Sequence, residues 1–341
     1  MSNAPYGLIN VLYDSADGSI KVVPPRKSMD KKAAIELFIV ACIIGFAVIG
    51  FDRCSDLYVE LIAKTPLIDY YDTSEAMYNI IQTFFSLFAI LIPFGIALIF
   101  IKLVLRDTVI LPLWKPNSKK AFVASLGVAF LTLVISNVIV SMGTIFGEAV
   151  GFEFEAAESP APSTFSGYLW QILSVAIVPA IVEEFAVRGV MLQSLRKYGD
   201  IFAMVVSSIF FGLMHGNCLQ APFAFILGMV ISWLVIKTDS LWTGIAIHFM
   251  NNFYATTLLA LGEICSTGVY VAVVAGINII GALLGVVAII WIIDKKEVNL
   301  GLNKVYKWEP YVVALCALPM TAAIIMLIRT CLETVNYVGL S

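Results

Sequence analysis

Residues 79–101 read NIIQTFFSLFAILIPFGIALIFI, a stretch without one charged side chain. At about 1.5 Å of rise per helical residue, ~20 apolar residues cross the hydrocarbon core of a bilayer, and this run is long enough to do so. Eight further runs bounded by charge or turn residues lie at 33–51, 121–146, 168–192, 201–217, 221–236, 241–261, 268–293 and 310–328. The backbone of a lipid-embedded segment must satisfy its own hydrogen bonds, so each run is expected as a helix. The fold class that follows is all-α: a polytopic transmembrane helix bundle of about eight to nine spans.

Composition points the same way. With 60% apolar residues, 13% charge and a mean hydropathy of +0.93 over 341 residues, the chain lies outside the range of soluble globular proteins. Its expected surroundings are membrane lipid, with no nucleic-acid partner, and its expected location is the plasma membrane as a multi-pass protein. A polar segment with Lys21, Arg26, Lys27, Lys31 and Lys32 precedes the first run, which is therefore expected as a span or anchor rather than a cleaved signal.

The basic residues set the expected orientation. If the amino terminus is cytoplasmic, its side also collects Lys102, Arg106, Lys115, Lys119, Lys120, Arg196, Lys197, Lys237, Lys295, Lys296, Lys304 and Lys307. The opposite side collects only Arg53, Lys64 and Arg329, and this asymmetry predicts a cytoplasmic amino terminus with the carboxyl terminus outside. The outer loops 52–78 and 147–167 are acidic and read as solvated surface. Cys54, Cys218, Cys265 and Cys331 fall near the outer boundary, where an oxidising compartment could pair some of them. In the eighth run, Gly281 and Gly285 form a small-xxx-small pair that predicts close helix packing, while Pro93 and Pro319 predict bends.

Three short motifs break the apolar pattern. The first is PAIVEEFAVRG at 179–189, with two adjacent carboxylates and a guanidinium inside a hydrophobic run. Such groups cost ~2.5–3.5 kcal/mol each on insertion scales, so they face a cavity or one another. Glu184 and Arg188, four apart, can pair on one helical face, whereas Glu183 points about 100° away and is left for another task. Pro179 cannot donate a helical hydrogen bond to the carbonyl of residue 175 and should loosen the helix there. The second motif is FGLMHGN at 211–217 and the third is HFMNN at 248–252, in which His248 and Asn252 share a face.

These residues allow two chemistries. A carboxylate with an imidazole can activate water for attack on a carbonyl, while a second imidazole and an amide stabilise the oxyanion. Alternatively, Glu183, His215 and His248 would make a three-ligand zinc set with one open position, as in a metalloprotease. A purely structural polar knot between helices and a proton relay in a transporter are further readings of the same residues.

The order and spacing of Glu183-Glu184 through Arg188, Phe211 through His215, and His248 through Asn252 resemble the signature of the CPBP family of intramembrane proteases. That family joins CAAX prenyl endopeptidases of the Rce type with bacterial Abi and bacteriocin-immunity proteins. The resemblance covers roughly residues 165–260. It implies an intramembrane endopeptidase that hydrolyses a membrane-associated peptide or lipidated protein tail. By analogy Glu183 with His215 activates the water, His248 with Asn252 forms the oxyanion pair, and Glu184 with Arg188 is the supporting ion pair. The family has been described both as metal-dependent and as using a glutamate without metal. The glutamic reading, without cofactor, is favoured over zinc because an amide is a poor zinc ligand but a good oxyanion donor.

The implied organisation is a leader at 1–32, N-terminal transmembrane helices at 33–160, a CAAX-protease-like core at 161–262 and C-terminal transmembrane helices at 263–341. A non-enzymatic scaffold or bacteriocin-immunity factor retaining the polar cluster is the alternative. One expectation conflicts with the rest. Counted from the cytoplasmic boundaries, His248 lies about 10 Å deep, Glu183 roughly 18 Å and His215 about 20 Å. A seventh span beginning with a broken or extended segment near Thr238 to Leu241 would repair most of the mismatch.

Overall fold

The computed structural model describes residues 10–13, 20–23, 28–66, 68–69, 74–106, 118–155, 161–295, 301–302 and 305–339. Among them the long apolar runs are helices with defined starts. Helices α1 (Lys31–Ala63), α2 (Glu75–Val104) and α3 (Lys119–Ala149) begin after Asp30, Ser74 and Ser118, whose side chains accept from the backbone N–H three residues on. Helix α4 (Phe165–Arg196) begins after Thr164 in the same way. It is followed by α5 (Asp200–Leu213), α6 (Gln220–Thr238), α7 (Leu241–Ile264), α8 (Thr267–Lys295), α9 (Glu309–Cys316) and α10 (Leu318–Leu332).

The polytopic all-helical architecture thus stands, with a different tally of spans. Among the described residues, six helices are long and apolar enough to cross a membrane: α1, α2, α3, α4, α6 and α8. The α9–α10 pair makes a seventh if its 84° bend lies within one span. Against the nine expected runs, α5 has only fourteen residues. Helix α7 is long enough at twenty-four residues, but His248, Asn251 and Asn252 dilute its apolarity. Pro319 lies in the first turn of α10, directly after the bend, where its missing N–H costs no helical bond, whereas α2 continues through Pro93 as one element.

One continuous buried cluster runs from Ala33 in α1 to Leu327 in α10. It has members in every helix from α1 to α10. Helix α8 lies against α3 as its glycines predict: a Cβ on Gly281 would fall 2.0 Å from Phe130, and one on Gly285 would fall 2.4 Å from the Leu131 Cβ. Much of the rest of α8 is exposed, with Ile279, Ile280, Leu283, Leu284 and Val287 each about 60% open, as a lipid-facing surface should be.

Short strands decorate the helices. Strands β1 (Asn10–Tyr13) and β2 (Ile20–Val23) pair antiparallel within the leader, most of which lies outside the described residues. Strand β3 (Phe152–Phe154), after α3, pairs antiparallel with β4 (Val335–Tyr337) at the end of the chain. This two-stranded cap sits against the α5–α6 turn. Asn217 Nδ2 donates to Glu155 O at 2.7 Å, and Cys218 N donates to Thr334 Oγ at 3.0 Å.

Two surface expectations change in detail. Glu75, assigned to solvated acidic surface, accepts from Ser163 N, Ser163 Oγ and Thr164 Oγ, so it ties the start of α2 to the start of α4. Glu158 and Asp72 of the same acidic loops lie outside the described residues, as do Lys115, Lys296 and Lys304. All six cysteines are unpaired.

Candidate active site

Helix α4 changes pitch twice. Residues Ile172–Ile177 and Phe185–Leu192 are wound as wide π-turns, and the α-helical piece Val178–Glu184 between them carries Pro179 and both glutamates. Wide turns of this kind leave carbonyls without their usual i+4 donor. Pro179 removes the donor that would reach Val175. In its place Asn252 Nδ2, from α7, donates to Val175 O at 2.9 Å. The Asn252 side-chain oxygen in turn accepts from Asn251 Nδ2 at 2.9 Å.

The two glutamates part as their spacing predicts. Glu184 and Arg188 are both fully buried, with Arg188 Nη1 donating to Glu184 Oε1 at 2.7 Å. Arg188 Nη2 donates to Gly228 O at 3.2 Å, and its guanidinium carbon lies 4.2 Å from the centre of the Phe211 ring. The other Glu184 oxygen is packed against Gly244 of α7, where an added Cβ would sit 2.4 Å away. Gly244 is what admits a carboxylate between α4 and α7. Glu183 is the more open of the pair, at 25% side-chain exposure, and faces a cavity.

Both histidines are held through Nδ1. His248 Nδ1 lies 3.1 Å from Glu184 Oε1, and its Nε2 lies 3.9 Å from Glu183 Oε2, so the ring bridges the two carboxylates. His215 lies just beyond the end of α5, in the turn before α6, and its Nδ1 is 2.7 Å from Phe211 O. A carbonyl can only accept, so His215 Nδ1 carries the proton and Nε2 is the ring nitrogen left for chemistry. Phe211 touches both imidazoles edge-on, with centroids at 5.1 Å from His215 and 5.4 Å from His248.

The cavity has a volume of about 160 Å³ and is lined by Phe51, Phe85, Ser86, Ile90, Glu183, Ala186, Val187, Phe211, Met214 and His215. Two expected site residues, Glu183 and His215, therefore meet on its wall, with His248 reaching Glu183 from behind. Asn252 is turned away onto Val175. The chain does break at the expected place: α6 ends at Thr238, Asp239 takes a left-handed turn at φ 50°, Ser240 is extended, and α7 starts at Leu241. Thr238, Ser240 and Thr243 are buried, so the start of α7 is no membrane boundary from which depth can be counted.

Among the described residues, no three His, Cys, Asp or Glu side chains are grouped to hold a metal ion. Glu183, His215 and His248, the alternative zinc set, are not grouped as three ligands in this arrangement, and no step below passes through a metal.

The stretch that carries these residues has a match among protein families. Residues 165–254 match the Rce1-like family of type II CAAX prenyl endopeptidases. No curated protein and no solved structure gives a significant match to the chain. The match covers about a quarter of the chain. It takes in Glu183, Glu184, Arg188, His215, His248 and Asn252. It leaves out α1 and α2, which supply Phe51, Phe85, Ser86 and Ile90 to the cavity wall. These four are the site residues that sequence reasoning missed, since each belongs to an ordinary apolar run.

Proposed function

We propose that the chain is an intramembrane endopeptidase in which Glu183 activates a water for attack on a peptide bond. The observation that carries this reading is the meeting of Glu183 and His215 on the wall of one small, mostly apolar cavity. In such surroundings a carboxylate and an imidazole act on each other and on a trapped water with little competition from solvent. Glu183 takes the water proton as its oxygen adds to the scissile carbonyl carbon. His215, with Nδ1–H fixed on Phe211 O, presents Nε2 as an acceptor that holds the water, and the protonated Glu183 then gives its proton to the leaving amine.

The remaining residues support this pair. Glu184 and Arg188 neutralise each other and hold His248 by Nδ1, and His248 in turn fixes the position of Glu183. The reading departs from expectation at Asn252, which serves here to satisfy the Val175 carbonyl beside the Pro179 break. The proposed substrate is a membrane-associated peptide or lipidated protein tail, and the proposed location is the cell membrane.

The test is cleavage of a labelled peptide library, with and without a prenyl group, by purified full-length protein in detergent. Wild type is expected to cleave, Glu183→Gln to lose at least ~100-fold in rate, and a chelator to leave the wild-type rate unchanged. Loss on chelation would transfer the reaction to a metal. Full activity in Glu183→Gln, or no cleavage of any peptide by wild type, would overturn the endopeptidase reading in favour of the scaffold or immunity alternative.

A further inference from the structure

Helices α1 and α2 enclose a second, larger space that the candidate site does not use. They meet where Gly50 admits Pro93, an added Cβ lying 3.3 Å from the Pro93 Cβ, and again where the rings of Tyr58 and Phe85 are 4.1 Å apart, centre to centre. From this antiparallel pair opens a groove of about 430 Å³, lined between residues 54 and 62 on α1 and between 81 and 92 on α2. On each helix the lining positions recur at three and four, so one stripe of each faces the groove. Apart from Cys54 and Tyr58 every lining side chain is a hydrocarbon. Ile62 and Ala89 are buried at its floor, whereas Leu57, Leu61, Phe84 and Phe88 are more than half exposed at its rim.

The groove adjoins the Glu183 cavity. Phe85 lines both spaces, and Phe51 of the Glu183 cavity lies one turn before Cys54. Size limits what the groove holds. One turn of a helix about 10 Å wide and 5.4 Å in pitch displaces ~420 Å³, so there is room for a single turn and none for a membrane-spanning helix. At ~1.5 Å per residue the two lining stripes are roughly 12 and 16 Å long. An extended chain advances about 1.2 Å per bond, so that length suits a hydrocarbon of roughly ten to thirteen carbons.

We propose that the α1–α2 groove holds a hydrocarbon chain carried covalently by the substrate, attached close to the scissile bond. The proposal rests on the endopeptidase reading above. A chain already in lipid gains no hydrophobic free energy on entering the groove, because lipid tails are as apolar as its walls. The groove contributes position: dispersion contacts along two helices hold the chain in line, and the peptide tethered to it is set beyond Phe85, at Glu183. This junction assigns the groove to the substrate's own chain rather than to a bilayer lipid. Neither helix belongs to the matched segment 165–254, so the selection for a chain resides in the N-terminal part of the molecule.

The experiment compares one peptide, unmodified or carrying a butyl, octyl, dodecyl or hexadecyl thioether beside the scissile bond. Values of kcat/KM in detergent are measured for wild type, Ala89→Phe at the floor, Leu57→Trp at the rim and Leu283→Trp on the exposed side of α8, with a melting curve for each. Wild type should improve up to the dodecyl chain and no further. Ala89→Phe and Leu57→Trp should lose about 10-fold or more on the dodecyl peptide and stay within about 2-fold on the unmodified one. Leu283→Trp should match wild type on every peptide, which removes micelle partitioning as the cause. Equal losses on both peptides, no loss on either, or indifference of wild type to chain length would overturn the proposal. A second readout needs no turnover: Glu183→Gln is photolysed with a dodecyl peptide bearing a diazirine at the chain end. Adducts should fall within 54–62 or 81–92 and be displaced by unlabelled dodecyl peptide but not by dodecanol. Adducts elsewhere, or equal displacement by dodecanol, would give the groove to bulk lipid. Since labelling does not depend on cleavage, an active Glu183→Gln sinks the endopeptidase reading without deciding the groove, and the two failures are told apart.

Discussion

At the scale of single residues, Glu183 and Glu184 are neighbours in sequence with opposite fates, and they are expected to fail in opposite ways. Glu184 is the counter-ion of a fully buried arginine. Glu184→Gln leaves that guanidinium unpaired in an apolar interior, and breaking a buried pair in this way costs about 3–5 kcal/mol. A lowered melting temperature or loss of folded protein should follow, with activity falling only because less protein is folded. Glu183→Gln should melt like wild type and be inactive. Gly244→Ala offers a third case, since its new Cβ would lie 2.4 Å from the Glu184 carboxylate. The carboxylate must move off Arg188 or His248 to make room, so this one methyl should lower the melting temperature nearly as much as Glu184→Gln. A Gly244→Ala protein as stable as wild type would contradict the packing described.

Elements couple through the bond between α7 and the loosened turn of α4. Asn252 supplies to Val175 O the hydrogen bond that Pro179 cannot. Asn252→Ala should therefore cost about 1–3 kcal/mol, the usual penalty for an unsatisfied buried acceptor, read from thermal unfolding in detergent. Pro179→Ala restores a backbone donor at residue 179. The cost of Asn252→Ala should shrink by at least half in the Pro179→Ala background, and additivity of the two changes would show that Asn252 does something else. Pro179 and its effect on residue 175 were legible in the sequence. The identity of the replacement donor was not, because nothing in a motif says that a side chain 77 positions away will lie beside that carbonyl.

For the molecule as a whole, the cavity is a joint product of α1, α2, α4 and the α5–α6 turn. The family segment alone holds only one side of it. Phe51, in α1, forms part of the far wall, so Phe51→Trp should narrow a cavity of about 160 Å³ and reduce cleavage of bulky peptides more than of small ones, with little change in stability. Equal rates for both classes of peptide would mean that α1 does not bound the substrate. The β3–β4 cap acts at the same scale, tying the last residues of the chain to the turn that carries His215 through the Cys218–Thr334 and Asn217–Glu155 bonds.

The sequence by itself determined that this is a helical membrane protein and which polar residues are out of place in it. Apolar length and the energetic cost of intramembrane charge are local properties that any reader of the chain can sum. Periodicity also separated Glu183 from Glu184, because three to four residues return a helix to the same face. Tertiary structure decided where the helices end, since α5 stops at Leu213, ahead of the turn that holds Gly216, and is left with fourteen residues. It decided likewise that Asn252 turns to Val175 and that Ser86 opens onto the cavity. Those assignments depend on distances between helices far apart in the chain, and a helix in lipid can hide or expose a serine at no cost its own sequence records.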